Sequence, residues 1–424
     1  MFLYNLYYKW GVFHQSHPRG VILHPVGFDA TRNPAKLDGR YEYVLVDPNA
    51  YYWVLEAEAC GKACRNLASH SWLGAAIPMP DDFDGDRATW LRENADDPPS
   101  YWPPKSPDTE EDLEKLVERC IDWQTSFGCT EYVLPSPLIT DNPDDLDEHA
   151  RWAMAGRAVA VRLGVHALQS VPILDLGLAR HGERILDLVT ARGDVGVYAS
   201  IATSRNSDQV PDTKLFAKML LDLSYYAGEQ QNRSVVVNFA DVFGLACVAV
   251  GAKAFASGYE AKTRRLSMSA FEDTEEGGGP YPRFFSLATT SRFLPTRDMN
   301  RIRDARLLWL FDRDETAAAG PLFAALKAGG GAEAVPQWRE QRSNLSAARD
   351  HLVERLTAAS AEARVATDLR ARTAWALGWL QRAEQNVAYL KTRFDDDEPL
   401  EELGTHARLW RAAFETFGQE HGLL

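Results

Sequence analysis

No stretch of this sequence stays apolar for the roughly 18 residues that a membrane span needs, so none reads as a transmembrane helix. The opening residues, MFLYNLYYKWGVFHQSH, lack a basic start, a long apolar run and a small-residue cleavage site. They do not read as a secretory signal, and a cytoplasmic location is expected. Cysteine is sparse. The five cysteines (Cys60, Cys64, Cys120, Cys129 and Cys247) form no dense framework, and their odd number suits a reducing compartment rather than a disulfide scaffold. Cys60 and Cys64 stand four apart beside His70, but there is no tight Cys-x-x-Cys and no second pair, so no metal site is expected.

Positive charge is also short. Lys and Arg total 46 against 60 Asp and Glu, a net charge of −14, which disfavours a broad grip on nucleic acid. A nucleophile elbow, a P-loop and an H-E-x-x-H are absent, which leaves hydrolase, NTPase and zincin readings without a motif. No G-x-G-x-x-G follows a strand, which counts against a dinucleotide-binding sheet. No cofactor is expected.

What is present is an alternation. EYVLPSPLIT (131–140), ALQSVPILD (167–175), DVGVYASIA (194–202), SVVVNFA (234–240) and AKAFASG (252–258) read as strands. Helical patterns separate them at 144–164, 182–193, 212–229 and 242–251. Thr109 reads as the N-cap of a further helix carrying Leu113, Leu116, Val117 and Cys120 on one face, with Gly128 as its stop. Strands apolar on both faces, spaced by helices, imply a parallel sheet with right-handed crossovers. With GVILHPV (20–26), YEYVLVD (41–47) and RLLWLFD (306–312) the count reaches about eight. The expected fold is an α/β, TIM-type (β/α)8 barrel with an acidic, proline-rich insertion and a C-terminal helical extension.

The expected organisation is an N-terminal extension over 1–40, a barrel over 41–327 with an insertion at about 78–108, and a helical domain over 335–424. In that last domain Leu369, Thr373, Ala376, Leu380, Ala383, Val387 and Leu390 recur in a heptad-like seam. The seam suits a hairpin packed on the barrel, or an interface with a protein partner or a second copy. The acidic run DDDEPLEE (395–402) reads as a turn.

In a barrel, polar residues at the C-terminal ends of strands line the site. The candidates are Asp47, Ser136, Asp175, Ser200, Asn238, Asp241, Ser257 and Tyr259. Asp47, Asp175 and Asp241 could divide acid and base roles by differing burial, or simply cap the next loop or helix. From 262 to 306 the chain is rich in Arg and Lys, and Lys262, Arg264 and Arg283 are candidates to hold a phosphate. The same cations could instead pair with Glu272, Asp273, Glu275, Glu276, Asp298 and Asp304. EEGGGPYPRFF (275–285) reads as a lid or a plain surface loop.

The order VPILD, VGVYAS and a strand–helix–strand ending AFASGYE resembles consecutive strands of the tRNA-guanine transglycosylase superfamily, over roughly residues 41–260. The resemblance implies Gly196 and Ser200 near a base, and Asp47 where that family carries an early-strand aspartate. The family's nucleophilic aspartate and its cysteine-rich zinc motif are not matched. The corresponding strand reads Phe255-Ala256-Ser257-Gly258, so covalent base exchange has no obvious route here. Two functions are expected in turn. One is a barrel enzyme that binds a nucleobase, nucleotide or related phosphorylated ligand at its C-terminal face, with base modification of a nucleic acid as one such reaction. The other is a catalytically inactive barrel serving a bacterial multi-protein, defence-type complex through 335–424.

Overall fold

A computed structural model describes residues 1–7, 13, 16–31, 37, 39–54, 61–73, 104–191, 193–203, 213–271, 280–394, 400, 403–404 and 406–424. Cys60, most of the proline-rich insertion, the glycines and acids of the expected lid and most of the acidic run at 395–402 lie outside the described residues.

Eight parallel strands form a nearly closed barrel. They are β1 (Phe2–Leu6), β2 (Gly20–Leu23), β3 (Tyr43–Val46), β4 (Tyr132–Leu134), β5 (Ala167–Leu174), β6 (Gly196–Thr203), β7 (Val235–Asn238) and β8 (Ala254–Ser257). Their order around the sheet is β3-β2-β1-β8-β7-β6-β5-β4. At the seam between β3 and β4, Thr130 bridges the gap. Its N–H donates to the Val44 carbonyl at 3.0 Å, and its Oγ1 accepts from the Val44 N–H at 3.3 Å. A short β9 (Leu266–Ser267) pairs with the upper end of β6.

Two sequence expectations need correction. Arg306–Asp312 is not a strand: Leu308–Asp314 forms a 3-10 helix. Its five-residue apolar run (Leu307–Phe311) fits a strand in composition, but here it turns Leu310 and Phe311 inward and leaves Trp309 60% exposed. The missing strand is Phe2–Leu6, inside the segment read as an N-terminal extension, and β2 lies in that segment too. β1 sits in the middle of the sheet, paired with β2 and β8, so the N-terminus is part of the barrel itself.

The interior arises from strand alternation, in which every second side chain points to the axis. Leu3, Ile22, Tyr43, Leu45, Val133, Leu168, Tyr198, Val236, Ala254 and Ala256 form one buried cluster drawn from all eight strands. Gly20 and Gly196 sit low in this layer. A Cβ on Gly196 would lie 2.4 Å from Leu168 Cδ2 and 2.6 Å from the Ser234 carbonyl. A polar plug closes the N-terminal end. There Glu131 accepts from Lys253 Nζ at 2.8 Å, from Ser234 Oγ at 3.1 Å and from the Tyr43 hydroxyl.

The outer layer includes α1 (Gly61–Ala68), α2 (Glu110–Thr125), α3 (Pro143–Leu163), α4 (Asp175–Thr190), α5 (Lys214–Leu223) and the short α6 (Gly244–Ala249). Thr109 caps α2, accepting from the Asp112 N–H, and Gly164 ends α3 in the left-handed conformation. Beyond β8 the chain adds an antiparallel hairpin, β10 (Phe284–Ser286) and β11 (Ser291–Phe293), and α7 (Gly320–Lys327). It ends with α8 (Leu345–Glu362), α9 (Leu369–Arg393) and α10 (His406–Glu420).

The heptad-like seam of α9 is used within the chain. Thr373, Ala376, Leu380, Ala383, Val387 and Leu390 are buried, and α9 packs on α10 and α6. Arg372 fixes this docking by donating to the Ala249 carbonyl at 3.1 Å and pairing with Glu229 at 2.6 Å. Among the described residues no helix is long and apolar enough to cross a membrane.

Candidate functional site

The barrel interior changes from apolar to polar toward the C-terminal ends of the strands. Asn5 of β1, His24 after β2, Asp47 and Asn49 after β3, Tyr51, Tyr198 of β6 and Asn238 of β7 meet there, each at most 1% exposed. They close a ring of hydrogen bonds. His24 Nε2 donates to Asn5 Oδ1 (3.1 Å), and Asn5 Nδ2 donates to Asn238 Oδ1 (2.8 Å). Asn238 Nδ2 donates to the Tyr198 hydroxyl (2.5 Å), which donates to Asp47 Oδ2 (2.7 Å). From the other side, Asn49 Nδ2 donates to His24 Nδ1 (3.2 Å) and to the Tyr51 hydroxyl (2.8 Å). Tyr51 in turn donates to Asp47 Oδ2 (2.8 Å), and the Asn49 N–H donates to Asp47 Oδ1 (2.9 Å). With Nδ1 accepting and Nε2 donating, His24 is a neutral imidazole.

Burial sets the electrostatics. It pushes the Asp47 carboxyl up to about 6, against the pull of the hydrogen bonds from Asn49, Tyr198 and Tyr51. It pushes His24 down to about 3. An acid poised near neutrality, at a barrel mouth, is suited to general acid–base work. The backbone around this ring is strained. Asn49, Phe239 and Asp241 have φ of 55°, 58° and 46°. Left-handed backbone costs a non-glycine residue roughly 1–2 kcal/mol, and it recurs at functional sites. Here it lies just beyond the ends of β3 and β7.

Beside the ring is a second buried unit. Arg292 of β11 grips Asp241 with both terminal nitrogens, at 3.1 and 2.9 Å. Ser257 Oγ lies 3.4 Å from Asp241 Oδ1. Burial pushes the Asp241 carboxyl up, but the Arg292 and Arg264 guanidiniums outweigh it and hold the group below the usual carboxylate range. Asp241 is therefore an ionised partner in a bidentate pair.

The other sequence candidates fall in several places. Ser200 lies level with Asn238 on β6, fully buried, and its hydroxyl has no hydrogen-bond partner among the described residues. Asp175 is not in the ring. It opens α4, where its Oδ1 accepts from the Leu176 N–H at 2.9 Å. Ser136 ties the segment after β4 to α3 through a 2.6 Å contact with His149 Nδ1. Gly196 stands at the N-terminal end of β6, away from the mouth, in contact with Leu168 and Ser234. The Tyr259 hydroxyl donates to the Tyr281 carbonyl at 2.9 Å and accepts from the Arg283 N–H at 2.5 Å, so it holds the segment that leads into β10.

Lys262 and Arg264 lie on a single helical turn after β8. The Lys262 ammonium is 5.9 Å from the Tyr7 ring centroid, and burial lowers its proton affinity. The Tyr7 ring stacks on His24 at 4.6 Å, so this cation stands over the ring's edge. The rest of the basic run divides: Arg297 pairs with Asp298 and Arg303 with Asp304.

Asn5, His24, Asn49, Tyr51 and Tyr198 are not among the residues that the sequence singles out, and Arg292, part of the basic run read as an anion site, pairs with Asp241 instead. Among the described residues no group of three or more His, Cys, Asp or Glu side chains is arranged to hold a metal ion. No protein-family model matches the chain, and no curated protein matches it either. The likeness to the transglycosylases thus extends to the barrel fold alone.

Proposed function

We propose that this chain is a barrel enzyme acting on a small, hydrogen-bonding ligand at the C-terminal mouth. The class that fits is a nucleobase, a nucleotide or a related phosphorylated molecule. The carrying observation is Asp47, a fully buried carboxylate at the end of β3 that is held by donors from β6 and from its own loop. In this reading Asp47 exchanges the proton, while Asn238 orients the Tyr198 hydroxyl that donates to it. Asp241 serves as an electrostatic fixture rather than as a second acid, because Arg292 already claims both of its oxygens. Lys262 and Arg264 supply the positive side of the mouth that a phosphate would need.

The test is native mass spectrometry of the purified protein against a panel of nucleobases, nucleosides and nucleotides, followed by turnover assays on whatever binds. Asp47→Asn should abolish turnover while keeping the fold. If turnover or binding is the same in this variant as in the wild type, the assignment fails.

A second reading rests on the closure of the ring. Each polar side-chain atom of Asn5, His24, Asp47, Tyr51, Tyr198 and Asn238 already has a partner within it. A fully satisfied buried network rigidifies a core without any chemistry. On that reading the barrel is a catalytically inactive interaction component. Retention of no ligand, together with a stable complex with another protein by mass measurement, would favour it over the first.

A further inference from the structure

A cleft of about 800 Å³ lies outside the barrel, between the 3-10 helix Leu308–Asp314, the turn after β10, and α8 and α9. Its frame is rigid. Trp379 Nε1 donates to the Leu287 carbonyl at 3.0 Å, and Asn386 Nδ2 donates to the Ala288 carbonyl at 2.9 Å, which pins α9 to the turn. At its base Arg355 pairs with the buried Asp314 at 3.1 Å, and Asp314 also accepts from Ser286 Oγ at 2.7 Å.

Two features of the lining point to a ligand. The first is aromatic surface. Trp375 and Trp379 are stacked, with centroids 6.1 Å apart and planes at 26°. Trp309 stands 60% exposed at the same cleft, its ring 6.4 Å from Tyr389. An indole left in water next to other aromatics adds little to the core and offers a stacking face. The second is the state of the charges. The acids of the cleft are all engaged: Asp314 and Glu362 with Arg355, and Asp312 with Lys327. Arg313 and Arg382 are exposed, and among the described residues no acid engages either. The cleft therefore offers the exposed ring of Trp309, the half-buried Trp375 backed by the buried Trp379, and two available guanidiniums. A cation would meet those guanidiniums and acids already neutralised, whereas an anion attached to a planar ring meets complementary groups throughout.

We propose that this cleft binds a free nucleotide, with its base stacked on the tryptophan wall and its phosphate on Arg313 and Arg382. A free mononucleotide fits better than a nucleic-acid strand, because the chain's net charge of −14 opposes a long polyanion. The site is separate from the barrel mouth, and nothing in this inference depends on the mouth's chemistry.

The test is isothermal titration of the full chain with AMP, GMP, CMP and UMP. Adenosine, inorganic phosphate, tetramethylammonium and a short single-stranded DNA are titrated alongside. Trp309→Ala should weaken nucleotide binding about 5- to 100-fold, the loss expected for one base–aromatic stack. Arg313→Ala with Arg382→Ala should weaken it further and flatten its salt dependence, while adenosine binding changes little. Thermal unfolding confirms that these surface variants remain folded. Absence of binding by all four nucleotides at millimolar concentration overturns the proposal, as does binding that neither set of variants weakens. Tighter binding of tetramethylammonium, or of the DNA strand, than of any mononucleotide overturns it equally.

Discussion

The Tyr198 hydroxyl donates a 2.7 Å hydrogen bond to Asp47 and so ties β6 to β3 across the barrel mouth, 151 residues apart in sequence. The same hydroxyl accepts from Asn238. Removing it leaves a buried carboxylate short of one donor and a buried amide short of its acceptor. Tyr198→Phe is expected to cost about 1–3 kcal/mol in urea unfolding, with Asp47 titrating higher than in the wild type. A neutral result would mean that the ring carries little of the stability of the mouth.

Two members of the ring impose opposite pH dependences. Asp47 is raised in the folded state, from 3.8 to about 6, so the folded chain holds a proton that the unfolded chain has released. Stability from this group is greatest below about pH 4 and falls as pH rises toward 6. His24 is lowered from 6.5 to about 3, so the unfolded chain binds the extra proton. Its contribution is complete above about pH 6.5 and is lost on acidification toward 3. Asp47→Asn should therefore gain stability relative to the wild type as pH rises from 4 to 6. His24→Gln should flatten the acid limb. Parallel stability–pH curves for all three proteins would refute both assignments.

The Asp241–Arg292 pair is buried on both sides. Arg292→Ala takes the bidentate partner from a buried carboxylate, leaving Arg264 as the nearby cation, and is expected to cost about 3 kcal/mol. The double variant Asp241→Asn with Arg292→Met should recover much of that loss, because it removes both charges. Chemical denaturation of the two variants tests this, and equal stability would contradict it.

Gly196 offers a separate check. A Cβ there would lie 2.4 Å from Leu168 and 2.6 Å from backbone, which rules out a cost-free alanine. Gly196→Ala is expected to lower stability by about 1–3 kcal/mol through overpacking. Any ligand bound at the mouth should keep its affinity in this variant once folding is secured.

Much of the barrel was legible because β4 to β8 are apolar runs of strand length separated by helical periods. That is the pattern parallel strands need when both faces are covered. Phe2–Leu6 was not legible, because it is short and sits among aromatic residues that obscure its alternation. Leu307–Phe311 misled for the complementary reason: a short apolar run does not distinguish a strand from a tight helix. Asp47 and Asn238 were readable as polar residues ending apolar strands. Asn5, His24 and Tyr198 were not, because they lie within or just after apolar stretches and become a site only when the strands close around them. A signal for Asn5 was present, as a lone amide on the inward-facing alternation of β1. The Asp241–Arg292 pair joins two elements 51 residues apart and has no local signature at all.

The seam at Thr130 has a consequence for how the molecule breathes. Seven of the eight junctions around the barrel are parallel ladders, while β3 and β4 meet without one, tied through Thr130 and through the Tyr43–Glu131 hydrogen bond. Amide exchange should therefore begin there, with Thr130 losing protection ahead of the neighbouring strands. A barrel that opens at this ladder-free seam parts next to β3, the strand that leads into Asp47. Access to the buried carboxylate and loosening of the seam would then be the same event.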